Sequence, residues 1–142
     1  MRFMLMIYPD ATAEDGAMPD AAAVAEMMKY NEELASAGVL LALDGLHPTS
    51  EGARIYFEEG RARVVDGPFS EAREVVGGYW LLQVKSKEEA VEWARRCPAG
   101  TARFLELRRV FDMADFPADV QEAGDSALVR ETVEKHAAPP QG

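Results

Sequence analysis

The chain has 142 residues, 48% of them hydrophobic, with 25 acidic and 15 basic side chains and a net charge of −10. A chain of that length buries roughly two thirds of its unfolded surface and is most simply one domain. The charge argues against nucleic acid as a direct partner, because neutralising phosphates needs clustered Lys and Arg. The apolar run Phe3 to Tyr8 is too short to span a membrane and lacks the cleavage site of a secretory leader. A single cysteine, Cys97, permits no intrachain disulfide, so a cytoplasmic location is expected.

In chain order, Arg2 to Tyr8 reads as a strand, closed by Pro9, and Asp10 to Met18 as a polar loop. Pro19 and Asp20 open a helix whose Val24, Met27, Met28, Leu34 and Ala35 form one apolar stripe, and Ala37 and Gly38 end it. A second strand, Val39 to Leu43, leads to a hairpin of Ala53 to Glu58 and Arg61 to Asp66 about Glu59 and Gly60. Gly78 to Val84 is an apolar strand. Ser86 with Glu89 forms a capping box for a second helix ending at Cys97, and Phe104 to Arg109 is a last alternating strand. Beyond Arg109, Phe111 to Pro117 reads as an arm. Ala118 to His136 has weak helical periodicity, and the last residues, Ala137 to Gly142, read as disordered.

The order βαβ, hairpin, βαβ predicts an α+β fold: a ferredoxin-like split βαβ with an inserted hairpin and an antiparallel sheet. Two helices cover only one face of such a sheet, whereas Phe3 to Tyr8 and Tyr79 to Val84 are apolar on both. A second copy of the chain is therefore expected on the other face.

The most distinctive stretch is Asp66, Gly67, Pro68, Phe69, followed by Glu71, Arg73, Glu74, Gly77, Gly78 and Tyr79. Glycine's tolerance of positive φ and proline's fixed φ predict a tight turn that holds Asp66. This stretch resembles the signature of the YCII-related family and its DGPF subgroup. Phe3 to Tyr8, Ala37 with Gly38, Leu46 with Pro48, Glu89, Ala90, Trp93, Ala94 and Glu106 to Arg109 also look like family positions, so the likeness covers residues 1 to 111. It implies a family domain over 1–111, a dimeric α/β barrel as a homodimer through the sheet face, and an acidic arm over 112–142. Activity in the family is largely undetermined. The DGPF subgroup is associated with alternative sigma factors, which implies, as one reading, a non-catalytic regulatory protein acting in transcription initiation through protein contact.

The other reading is a lyase-type or isomerase-type enzyme that binds a small anionic or aromatic molecule. Asp66 beside Phe69, and His47 in Leu46, His47, Pro48, are the candidate acid and base. Glu71, Arg73, Tyr79 and Asn31 are candidate substrate-binding residues, Asn31 because it interrupts the apolar stripe of the first helix. Each has a structural alternative: Asp66 capping its own turn, His47 on a surface loop, Asn31 as a satisfied polar group at the edge of the core. Residues 61 to 111 carry 10 bases against 7 acids, and Arg61, Arg63, Arg73, Arg103, Arg108 and Arg109 would hold an anion if their strands were neighbours. Tyr8, Tyr56, Tyr79 and Trp80 would offer an aromatic wall or else core and interface. No cofactor and no metal is expected, since two histidines and one cysteine in separate elements have no ligand spacing. Cys97, at a helix C-terminus, is not a nucleophile.

Overall fold

A computed structural model describes residues 1–69 and 74–137. Six strands, β1 (Arg2–Tyr8), β2 (Leu40–Gly45), β3 (Ala53–Glu58), β4 (Arg61–Asp66), β5 (Gly78–Gln83) and β6 (Phe104–Arg109), alternate with helices α1 (Ala11–Glu14), α2 (Ala21–Ser36) and α3 (Lys87–Arg95). The main sheet is antiparallel in the order β2-β5-β1-β6, the ferredoxin-like order, and β3 pairs with β4 in a separate two-stranded sheet. The segment Asp10 to Met18, expected as loop, contains α1, whose first turn is capped by Asp10 through its Oδ1 and the Thr12 amide at 3.0 Å.

Alternation along β1 and β5 sorts the sheet's side chains. Phe3, Leu5, Trp80 and Leu82 are buried on one face against Tyr30 and Leu34 of α2 and Ala90 of α3. Leu5, Leu34 and Leu82 have no exposed surface, and each such side chain contributes about 1.5–3 kcal/mol of burial. Tyr30 donates to the Trp93 carbonyl at 2.9 Å, and burial raises its phenol above the ordinary range. Of the expected apolar stripe of α2, Leu34 is buried and Met27 packs against the core, while Tyr30, not expected there, joins them and Ala35 is exposed. Val24 and Met28, toward the N-terminal end, are 47% and 52% exposed.

On the opposite face Met4, Met6, Tyr8, Tyr79 and Leu81 are half-buried. Register places Asp44, Tyr79, Met6 and Glu106 in one cross-strand row, with Tyr8 and Phe104 beyond it. Tyr79 donates to Asp44 at 2.8 Å, and Tyr8 donates to Glu106 at 3.1 Å while stacking on Phe104 with ring centroids 4.4 Å apart. Desolvation, with Glu106 beside it, holds the Tyr8 phenol above its usual range, and the bond to Asp44 does so for Tyr79.

The chain divides into two compact units, Met1–Val110 and Phe111–Gly142. In the second, Phe111 stacks on Phe116 at 4.9 Å, and a 3₁₀ turn at Met113–Asp115 precedes α4 (Ala118–Ala123) and α5 (Ala127–Ala137). The weak periodicity of this region thus resolves into two helices interrupted at Gly124. Arg130 pairs with Asp125, while Leu128, Val129 and Val133 are exposed. Of the end expected to be disordered, Ala137 closes α5, and residues 138–142 lie outside those described.

Candidate functional site

The signature turn is built by close approach. A Cβ on Gly67 would lie 1.6 Å from the Thr49 carbonyl oxygen, so no side chain fits there. Gly67 lacks the positive φ expected of it; what the position requires is room. Its amide donates to the Gly52 carbonyl at 2.9 Å, and the Phe69 amide donates to Thr49 Oγ1 at 3.0 Å. Thr49 is buried, and its hydroxyl and amide in turn donate to the two oxygens of the Glu14 carboxylate at 2.5 and 3.0 Å. The turn is thereby tied through Thr49 to α1. Gly77 similarly packs on Pro9, whose ring would lie 2.8 Å from a Cβ there.

The candidate residues fall in separate places. Asp66 ends β4 opposite Ala53 and is exposed. His47 is also exposed, and its Nδ1 lies 3.8 Å from Glu51, so the expected His47 and Asp66 pair is replaced by a solvated i, i+4 contact. His47 borders a cavity of about 420 Å³ with Glu51, Arg54, Phe69 and Glu74, where the Arg54 guanidinium stands 4.1 Å over the Phe69 ring. Glu71 and Arg73 lie outside the described residues. Tyr79 is on the sheet face opposite α2 and α3, bonded to Asp44. The arginines expected to converge are divided: Arg61 and Arg63 are on the hairpin, where Arg63 bonds Glu58 at 2.9 Å, and Arg108 and Arg109 are on β6 at the edge of the main sheet. The aromatic wall is divided too, since Tyr8 and Tyr79 are on the face opposite α2 and α3, Trp80 is in the core and Tyr56 is on the hairpin.

Asn31 alone of these borders a large, mostly apolar cleft. It is 9% exposed, and its Oδ1 accepts the indole N–H of Trp80 at 2.8 Å. Indole is a donor only, so the bond fixes the amide's orientation and leaves the NH₂ as its donor side. The cleft, of about 560 Å³, lies between α2, the end of β1 with the α1 segment, and the loop 98–102. Ile7, Val24, Met27 and Met28 supply its apolar surface, Ala13, Ala17, Ala23, Ala99, Gly100 and Ala102 leave its volume open, and Asp10, Thr12 and Thr101 supply polar edges. Sequence reasoning missed Asp10, Thr101 and the small residues. The available signal was the run Pro98, Ala99, Gly100, Thr101, Ala102 opposite an alanine-rich helix start, which lacks bulk to close a core.

Asp10 Oδ1 accepts from the Thr12 amide at 3.0 Å and from its hydroxyl at 2.5 Å. The Thr12 hydroxyl first, and then that of Thr101, hold the Asp10 carboxyl below its usual range, so it is ionised at neutral pH and ill suited to accept a proton. Cys97 is partly buried, and burial pushes its thiol up to about 11. Among the described residues no group of His, Cys, Asp and Glu has the arrangement of a metal site, and no helix is long and apolar enough to cross a membrane.

Fold and site geometry together define a ferredoxin-like α+β domain with a cleft between helix and sheet. Residues 1–114 match the YCII-related domain, and the chain belongs to that family. It is 28% identical over 97 residues to an uncharacterized protein of Rhizobium meliloti strain 1021, covering 67% of this chain and 78% of the relative. Among solved structures it is similar to the 5-chloro-2-hydroxyhydroquinone dehydrochlorinase TftG of Burkholderia phenoliruptrix AC1100 in complex with 2,5-dihydroxybenzoquinone. That likeness has a TM-score of 0.47 and 12% identity, covering 78% of this chain and 94% of the other.

Proposed function

We propose that this chain is a DGPF-subgroup member of the YCII-related family that binds a small, largely apolar molecule of aromatic size in the cleft beneath α2. The cleft itself carries the reading: about 560 Å³, apolar walls and a few converging polar groups around Asn31, within the roughly 300–1,000 Å³ typical of ligand sites. An anionic ligand is not favoured in this cleft, which no Lys or Arg among the described residues borders. Acid–base catalysis is less well supported than binding. Asn31 holds no titratable proton, and Asp66 and His47 lie outside the cleft lining. Pairing of two chains through Met4, Met6, Tyr79 and Leu81 completes the proposal, since that face otherwise leaves apolar surface in water.

Trp80 reports on the site because its N–H is bonded to Asn31. A thermal-shift screen of small aromatics should give compounds that raise the melting temperature. In a Trp93→Phe background those compounds should change the emission of Trp80. Compounds that stabilise the protein without altering Trp80 emission would overturn the assignment of the cleft.

A further inference from the structure

We infer that the cleft beneath α2 selects apolar ligands carrying an ammonium or hydrogen-bond-donor end and discriminates against carboxylates, with Asp10 as the selecting residue. The inference rests on the proposed ligand site and names the chemistry that site prefers. Among the described residues Asp10 is the one charged side chain lining the cleft, and Thr12, Thr101 and Asn31 are its other polar side chains. Asp10 Oδ1 already takes two donors from Thr12. A carboxylate has about four acceptor positions, and both Thr12 donors fall on Oδ1, so Oδ2 can meet a ligand donor. Asn31 adds an amide NH₂, a donor able to meet a neutral acceptor on the ligand.

The surroundings act in the same direction. The segment from Asp10 to Asp20 carries Asp10, Glu14, Asp15 and Asp20 and no base. Arg103, next in sequence to Ala102, does not border the cleft. A ligand carboxylate would meet the Asp10 charge without a compensating cation, whereas an ammonium would meet an ionised, pre-oriented partner. Because Asp10 is reached by water, the preference is modest, roughly a two- to five-fold difference in Kd for each sign of charge.

The test titrates Trp93→Phe protein with 2-phenylethylamine, 2-phenylethanol and phenylacetate, following Trp80 emission at neutral pH and low salt. Asn caps helices as well as Asp does, so Asp10→Asn preserves α1 while removing the charge. The expected order is amine, alcohol, carboxylate, with the amine roughly five-fold tighter than the carboxylate or more. Asp10→Asn should collapse that spread to within about two-fold. Glu88→Gln, with the same change in net charge at an exposed position of α3, should leave it intact. Phenylacetate binding as tightly as the amine would overturn the inference and leave the ligand site standing, and so would a spread that survives Asp10→Asn or disappears in Glu88→Gln. Failure of all three probes to bind would instead remove the site on which the inference depends.

Discussion

The signature turn and the cleft beneath α2 are both built by small residues, yet they use them oppositely. At the turn, Gly67 is small because the Thr49 carbonyl occupies the space a Cβ would need. At the cleft, Ala13, Ala17, Ala23 and Gly100 are small and nothing fills the space they leave. The first is a packing device and the second is a cavity, and one carboxylate links them. Glu14 on α1 holds Thr49 beneath the turn, while its neighbour Ala13 lines the cleft. A motif's distinctiveness therefore reports how little freedom the backbone has there, which is a different property from contact with a ligand.

The largest expected effect sharpens that contrast at adjacent positions. Gly67→Ala should destabilise the protein by about 3 kcal/mol or more, as overpacking against backbone does, whereas Asp66→Asn, on an exposed side chain, should stay within about 0.5 kcal/mol. Urea unfolding of the two variants measures both. Equal losses would mean that Asp66 carries structure that its exposure does not suggest.

Next in size is Asn31→Ala, which leaves the buried Trp80 N–H without its acceptor. A loss of about 1–3 kcal/mol is expected, with altered Trp80 emission in the Trp93→Phe background. Thr49→Val breaks the link between turn and cleft wall by removing the hydroxyl that serves both Glu14 and Phe69. It should cost about 1–2 kcal/mol and weaken binding in the cleft although Thr49 does not border it. Unchanged affinity would show that the two regions are independent.

The smallest effect concerns Cys97, beside Pro98 at the cleft's edge. Burial raises its thiol from about 9 to about 11, so the folded state holds this proton more tightly than the unfolded one. The stability it contributes is complete below pH 9 and is lost as pH rises toward 11. Correspondingly, reaction with a thiol reagent at pH 8 should be slow in the native protein and rapid after denaturation. Fast native labelling would place the thiol in water.

Much of the fold was legible because its signals are local and periodic. The strands Arg2–Tyr8, Ala53–Glu58, Arg61–Asp66 and Phe104–Arg109 lie where alternation and turn residues put them. Ser86 accepts from the Glu89 amide at 3.1 Å, as its spacing predicts. Where sequence reading faltered, tertiary geometry had decided. Val24 and Met28 fit a buried stripe, but the N-terminal half of α2 borders an open cleft. The loop of His47 and the turn of Asp66 do meet, through Thr49 and Gly52, but both side chains stay exposed and His47 lies by Glu51, and no periodicity encodes where a loop side chain points. Asn31 was legible as a polar break in an apolar helix, whereas Asp10 was hidden in a segment whose composition resembled an ordinary loop.

The central claim, that ligand chemistry belongs to the cleft and the signature turn serves packing, is tested most directly by backbone amide shifts in NMR during titration with a compound that raises the melting temperature. The account predicts perturbations concentrated at Asp10–Ala13, Met27–Asn31 and Ala99–Ala102, with Leu46, His47 and Phe69 nearly unmoved. Perturbations centred on Leu46–Arg54 and Phe69, with Met27–Asn31 silent, would contradict it and return the site to the turn.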